Sequence, residues 1–432
     1  MKKEFVFLAF VLLLCSCSQK EELVFPNANV IIVGLDTVRP DRLAVYGYDR
    51  NTTPLLNEFA EQSYVFANAV TQAPWTLPSF MSMFTSLYPH QHELTNRYLL
   101  QPNTEELKEV SLSPDIVTLA ETLKGCGYKT AAFTGDAGLL GRYGFSRGFE
   151  VYYDTKSFDG FNKTAKMAAE WLKLHHNESF FLFVHGYEAH GKYKLPENFS
   201  GSFFTAQEAK SYNISPARWL YYRNLSVYKK KFNLSRKELG AWRDWYDEKL
   251  RLLDSDIEPL FSAIKEFNLT NRTIFVFMSD HGDGYMEHGT FDHGLSLYDE
   301  LLKVVLFIRL PGQVQGKKIS QQVRLIDITP TVLKLLGLNN NKLSNQAKGV
   351  SIIPILQGRD LKLNACSETD YLYNFFYRSI RSSDGWKLIY SPESESYELY
   401  NLKEDPNETI NLVKAKYNKF QELREKLFKC LS

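Results

Sequence analysis

Two unbroken apolar runs end in acids. Val30-Ile31-Ile32-Val33-Gly34-Leu35 stops at Asp36, and Thr273-Ile274-Phe275-Val276-Phe277-Met278 leads through Ser279 to Asp280, His281 and Gly282. Continuous runs of this kind, rich in β-branched and aromatic residues, predict strands buried on both faces. Lys129 to Thr134, Phe180 to Val184 (ending at His185) and Val304 to Arg309 predict further strands. Helical spacing falls between them: Pro54 to Gln62 with Thr53 as cap, Thr76 to Ser86, Thr118 to Lys124, Lys163 to His175, Tyr246 to Phe267 and Asp327 to Leu336. This alternation predicts an α/β fold, a mainly parallel sheet flanked by helices. Residues 195–240 are polar, aromatic and without clear period, and are expected to be an irregular insertion beside the site. Leu338-Asn339-Asn340-Asn341 marks a boundary. It divides a large domain, 29–338, from a small α+β subdomain, 339–432, with strands at 386–390 and 397–400 and a helix from Leu412 to Leu427.

The first residues change the picture of where the chain resides. Lys2 and Lys3 precede an apolar stretch, Phe5 to Leu14, too short to span a bilayer as a mature helix. Leu14-Cys15-Ser16-Cys17 follows, and the whole resembles a bacterial lipoprotein signal of residues 1–17 with lipid on Cys17. Residues 18–28 would be a tether, and the expected location is the cell envelope, with the membrane reached through the lipid anchor only. An ordinary secretory signal or short anchor is the alternative. Beyond the leader, Cys126, Cys366 and Cys430 form no metal motif; one disulfide or three thiols are open. Lys plus Arg number 51 against 50 Asp plus Glu, a balance that argues against nucleic acid as a partner.

The strand ends carry the chemistry. Open α/β sheets place ligands at the carboxyl ends of their strands. Asp36, Asp280 and His281 are candidate ligands of a divalent metal ion, with the Thr76 hydroxyl as a fourth. Imidazole among the ligands favours zinc or manganese, with calcium possible. A bound metal lowers the pKa of a hydroxyl and makes it a usable nucleophile. A helix entered at Thr76 would aim its N-terminal amides at the same point, which suits a phosphate or sulfate group. Thr76 is alternatively no more than a helix cap. Glu188, His190 and His293 form a candidate second metal site, or His190 and His293 touch substrate oxygens directly. Lys229-Lys230-Lys231 reads as a solvated face.

These segments together resemble the sulfatase family of the alkaline phosphatase superfamily. The resemblance is carried by residues 29–41, by Thr76-Leu77-Pro78-Ser79, by Leu87-Tyr88-Pro89-His90-Gln91-His92, by Ser279-Asp280-His281-Gly282 and by Glu398-Leu399-Tyr400-Asn401-Leu402. It implies an alkaline-phosphatase-like fold and a metal-dependent hydrolase of sulfuric or phosphoric esters. The departures are chemical. Thr76 stands where the family has the Cys or Ser converted to formylglycine, and a threonine Cβ, bearing a methyl, cannot become that aldehyde. Phe80 stands where the family has Arg, Thr37 where it usually has a second Asp, and Thr134-Gly135-Asp136-Ala137 lacks the family's Lys and His. The expectation is therefore a hydrolase or transferase of phosphate esters, chiefly diesters, acting through Thr76 on a small-molecule, glycan or lipid-headgroup ester, without formylglycine. The alternatives are a sulfatase working without formylglycine, and an inactive lipoprotein binding anionic glycans.

Overall fold

In the computed structural model the described residues are 23–431, except 101–106, 136, 155–157 and 198. The expected signal peptide, Cys17 and most of the tether lie outside them. The chain forms the expected α/β architecture around a nine-stranded sheet. In chain order its longer strands are β1 (Asn29–Leu35), β2 (Tyr64–Val70), β3 (Lys129–Phe133), β4 (Val151–Tyr153), β5 (Phe180–Gly186), β6 (Thr273–Ser279), β7 (Leu306–Arg309) and β8 (Lys317–Arg324). Their spatial order is β8-β2-β7-β6-β1-β5-β3-β4, with the short strand Lys303–Val304 beside β2. Only β7 and that short strand run against the rest.

The run in β1 explains its place at the centre. Val30 and Ile32 pack into the core on one face, with the helix Thr76–Thr85; Ile31, Val33 and Leu35 pack into the core on the other, with the helices Phe161–His175 and Arg236–Asp256. A strand buried on both faces has no room for alternating polar residues. Register then sets the site. Leu35 pairs with Gly186 of β5 and with Ser279 of β6. Asp36, Tyr187 and Asp280 therefore emerge side by side where the sheet ends.

Several local expectations are corrected. Residues 195–240 are not irregular: they hold the helices Ala206–Ser211 and Pro216–Val227 and the start of Arg236–Asp256. The Tyr246-to-Phe267 helix is two, Arg236–Asp256 and Glu258–Glu266, broken at Ile257 before Pro259. Proline lacks the N–H that a continuous helix needs. Thr53 makes no capping bond; the Asp254 carboxylate accepts from the amides of Leu55 and Leu56 instead. A second sheet, β9 (Ala365–Tyr371), β10 (Phe375–Arg381), β11 (Trp386–Ser391) and β12 (Ser396–Asn401), is antiparallel throughout. The terminal helix Tyr417–Leu431 packs on it and is tied to β9 by a disulfide between Cys366 and Cys430. No helix among the described residues is long and apolar enough to cross a membrane.

Candidate active site

Asp36, at the end of β1, and His281, beyond β6, converge on Thr76. The Thr76 hydroxyl donates to Asp36 Oδ2 at 3.4 Å and lies 3.4 Å from His281 Nε2. Thr76 is the first residue of its helix and makes no capping bond, so the cap alternative fails. The helix start is pinned by Ser79, whose hydroxyl donates to the Asp280 carbonyl at 2.7 Å and meets Thr71 Oγ1 at 2.8 Å. Asp280 is held by the amides of Thr37 at 3.1 Å and His281 at 2.9 Å, while its buried Oδ2 has no hydrogen-bond partner. Thr37 reaches it from the left-handed region, φ 55°, a conformation a threonine adopts only under constraint. The constraint is Tyr246, whose hydroxyl donates to the Thr37 carbonyl and accepts from the Arg39 amide.

The tautomer of His281 follows from its surroundings. Its Nδ1 sits 2.7 Å from the Gly282 carbonyl, which can only accept, so Nδ1 carries the proton. Nε2 is the ring atom turned toward Thr76. That nitrogen, the Asp280 oxygen without a hydrogen-bond partner and the buried Asp36 carboxylate are donor types a divalent cation takes, with Thr76 Oγ 3.4 Å from Asp36 and from His281. Among the described residues, the group whose ligand atoms all lie within 4.8 Å of one another is instead Asp283, Asp292 and His293. His185, at the end of β5, lies 3.5 Å from Asp36 Oδ2 and is packed against Phe80. Burial lowers its pKa to about 4, so it is neutral at pH 7. Phe80 thus fills with an aromatic face the space beside this histidine.

The expected second trio does not assemble. Glu188 turns away and accepts from the amide of Phe161 at the start of the helix Phe161–His175; burial raises its pKa to about 8. His190 and His293 do meet, with ring centres 4.9 Å apart, and His293 is 4.4 Å from His281. The acids beside His293 are Asp292 at 2.8 Å and Asp283 at 3.3 Å, all buried, and their ligand atoms lie within 4.8 Å of one another. Sequence reasoning passed over both acids. Their signal was a glycine-rich loop with an acid two residues after His281 and another directly before His293. Arg223 already compensates Asp292 at 2.7 Å. His293 itself is buried, which would lower its pKa, yet Asp292 and Asp283 raise it well above the ordinary value, so it carries charge. His190 is the reverse. Burial, then His293 and Lys192, push its pKa far down, and its Nδ1 accepts from the Lys192 amide. Nε2 of the neutral ring is therefore a donor, suited to a substrate oxygen and not to a metal.

The insertion roofs this centre. Trp219 of the helix Pro216–Val227 packs on His190 and over Gly191, where an added Cβ would lie 1.9 Å from the indole. Arg223, on the same helix, reaches both Asp292 and the Tyr371 hydroxyl. Buried Lys249 donates to the His190 carbonyl at 2.6 Å and lies over the Trp245 ring. None of Trp219, Arg223 and Lys249 was singled out from sequence. Thr76, His190 and His293 are each no more than 6% exposed under this roof.

Comparison with known proteins gives one consistent result. The family described as "Sulfatase" matches residues 28–338, and "N-sulphoglucosamine sulphohydrolase, C-terminal" matches 286–432. Arylsulfatase K of Xenopus laevis is 24% identical, the alignment covering 93% of this chain and 82% of that protein. The Delta 4,5-hexuronate-2-O-sulfatase of Bacteroides thetaiotaomicron is also 24% identical, covering 90% of this chain and 86% of the relative. Among solved structures, a putative sulfatase of Bacteroides thetaiotaomicron superposes with a TM-score of 0.72 at 20% identity, covering 93% of this chain and 91% of the other. The phosphonate monoester hydrolase of Agrobacterium radiobacter gives 0.71 at 17% identity, covering 93% and 95%.

Proposed function

Because the chain belongs to the sulfatase family, we propose that it is a metal-dependent hydrolase of phosphate esters, diesters above all, acting through Thr76. The observation that carries the proposal is the Thr76 hydroxyl, 3.4 Å from both Asp36 Oδ2 and His281 Nε2 at a helix N-terminus. A divalent ion on Asp36, Asp280 and His281 would supply positive charge that acidifies the hydroxyl and offsets charge on the ester oxygens. The chain's own residues do the rest. Asp36 takes the Thr76 proton as Oγ attacks phosphorus in line. The Oγ–P bond forms, and the bond to the leaving alcohol breaks with its electron pair on oxygen. His293, held positive by Asp292 and Asp283, faces the anionic oxygens, and His190 donates to them from Nε2. Water then attacks phosphorus and gives a proton to the departed alkoxide; the Oγ–P bond breaks, and Thr76 Oγ recovers its proton from Asp36.

A second reading, a sulfatase using Thr76 without formylglycine, is favoured by the relatives named arylsulfatase K and hexuronate-2-O-sulfatase. Assays of bis(p-nitrophenyl) phosphate beside p-nitrophenyl sulfate, with and without added metal, separate the two. Faster sulfate release would replace the phosphodiester reading. Equal turnover by a Thr76→Ala variant would end both. We place the protein in the cell envelope, anchored through Cys17. The Cys366–Cys430 disulfide supports this, since such bonds persist in oxidising compartments.

A further inference from the structure

The turn between β9 and β10 breaks a local rule. The Asn374 amide donates to the Tyr371 carbonyl at 3.1 Å, and both residues between them are left-handed, Leu372 at φ 53° and Tyr373 at φ 51°. A hairpin turn of this kind favours Asn and Gly, because a bulky side chain is strained there. Here it carries two large side chains, and both are exposed. The strain is held from outside the turn. Asn96 accepts from the Leu372 amide at 2.9 Å and donates to the Asp370 carbonyl at 2.7 Å, and the Tyr373 hydroxyl donates to the Tyr98 carbonyl at 2.6 Å. Strain kept at an exposed apolar tip points to a function for the tip.

The tip belongs to a larger surface. Asn374 Nδ2 donates to the Val227 carbonyl at 3.0 Å, which joins the hairpin to the end of the roof helix Pro216–Val227. That helix buries Trp219 and Tyr222 and turns Leu220, Tyr221 and, just past its end, Tyr228 outward. Leu220, Tyr221, Tyr228, Leu372, Tyr373 and Tyr98 are 40–72% exposed, and make up six of the fourteen exposed large apolar and aromatic side chains among the described residues. Single exposed apolar residues need no explanation; a set gathered around a strained tip does. Charge names the occupant. Residues 209–237, which hold the roof helix and the turn after it, contain eight Lys or Arg and no Asp or Glu, in a chain of formal net charge +1. Lys229, Lys230 and Lys231 follow Tyr228 directly and are exposed. A second copy of this chain would set that basic stretch against itself. Aromatic side chains beside exposed lysines suit a bilayer with anionic headgroups, tyrosines at headgroup level and lysines drawn to the negative surface. The surface also borders the site. Tyr371, from which the turn starts, packs at 5.0 Å on Trp75, the neighbour of Thr76, and its hydroxyl accepts from Arg223 at 2.7 Å.

We propose that this surface docks the protein on an anionic phospholipid membrane, the Leu372-Tyr373 tip entering the headgroup layer and Lys229 to Lys231 lying on it. The contact is additional to the lipid proposed on Cys17. Docking would hold the site at the headgroups, and only that consequence rests on the proposed function. The test is co-sedimentation of the full chain carrying Cys17→Ala, which removes the lipid acceptor, with phosphatidylglycerol or phosphatidylcholine vesicles. The leader is common to every form, so differences between forms report the surface. Phosphatidylglycerol is expected to bind at least about 10-fold more tightly, with the preference falling as salt rises. Leu372→Asn/Tyr373→Gly puts the favoured residues into the turn. It is expected to lose about 10-fold in affinity for phosphatidylglycerol while its unfolding midpoint is no lower than the parent's. Lys230→Glu/Lys231→Glu is expected to lose as much on phosphatidylglycerol and to stay within about 2-fold on phosphatidylcholine. Equal binding of the two vesicles, or unchanged affinity in either double variant, would overturn the proposal. So would a concentration-dependent dimer in sedimentation velocity that the turn variant abolishes, making the surface a self-interface. Both double variants should keep kcat/KM on bis(p-nitrophenyl) phosphate within about 2-fold of the parent. If no form turns that ester over while the vesicle results hold, the catalytic reading fails and the membrane surface stands.

Discussion

Two buried charge clusters sit in this molecule, and they are built differently. In the first, Asp36, Thr76, Asp280, His281 and His185 meet at 3.3–3.5 Å, and its acids face a hydroxyl, amides and imidazoles. In the second, Asp299, Lys387, Arg381 and Glu408 join the C-terminal sheet to the helix Asp299–Leu302. Lys387 Nζ is 2.8 Å from both Asp299 and Glu408, and the Asp299 amide donates to Glu408 at 2.6 Å. There burial would raise the Asp299 carboxyl, but Lys387 and Arg381 hold it well below the usual carboxylate range. The second cluster is closed: a protein cation sits among its acids at hydrogen-bond distance. The first is loose, with a carboxylate oxygen and an imidazole nitrogen aimed at a common point. Tight, self-compensated charge holds domains together; loose, under-compensated charge is what a site uses to bind and to react.

Breaking each cluster should therefore be felt in different measurements. Thr76→Ala is expected to lower kcat by at least about 10⁴-fold, the scale of losing a nucleophile, with the unfolding midpoint unchanged; steady-state kinetics beside urea titration reads both. Lys387→Met does the opposite. It leaves Asp299 and Glu408 buried without their lysine, and should cost about 3–5 kcal/mol of stability in chemical denaturation. A metal titration sharpens the contrast: Zn²⁺ or Mn²⁺ at about 100 times its Kd should stabilise the wild type by about 2.7 kcal/mol. Asp280→Asn should abolish that increment, and Lys387→Met should keep it. The smallest effect is a pH dependence at the edge of the closed cluster. His288 is partly buried, which lowers its pKa, but its bond to Glu300 at 2.7 Å more than reverses this. Its folded pKa lies above the unfolded one. Its stabilisation is thus complete below about pH 6.5 and is lost as pH rises through the folded value. His288→Gln should flatten that stretch of the stability profile by about 1 kcal/mol.

The catalytic frame was legible because it sits on periodic elements. Apolar runs ending at Asp36 and Asp280-His281 give strands, and register brings their ends together. Thr76 opens a helix whose buried residues were readable from spacing. The roof was not legible. In Pro216–Val227 the inward positions are Trp219 and Tyr222 among polar neighbours, so no apolar stripe announces a helix. Asp283 and Asp292 lie on a loop, where sequence spacing carries no geometry. Glu188 was misassigned for a related reason: a buried carboxyl between two histidines can cap a neighbouring helix as readily as ligate a metal. The disulfide stayed open because Cys366 and Cys430 are 64 residues apart, and only the packing of the terminal helix on β9 brings them together.

The position of β1 has a consequence for how the protein is made. The central strand precedes both its neighbours in the chain: β5 begins at residue 180 and β6 at residue 273. Until both have emerged, Val30-Ile31-Ile32-Val33 is an apolar strand with two open edges. The central strand therefore stays open to mispairing until Thr273–Ser279 has been made and can pair with it.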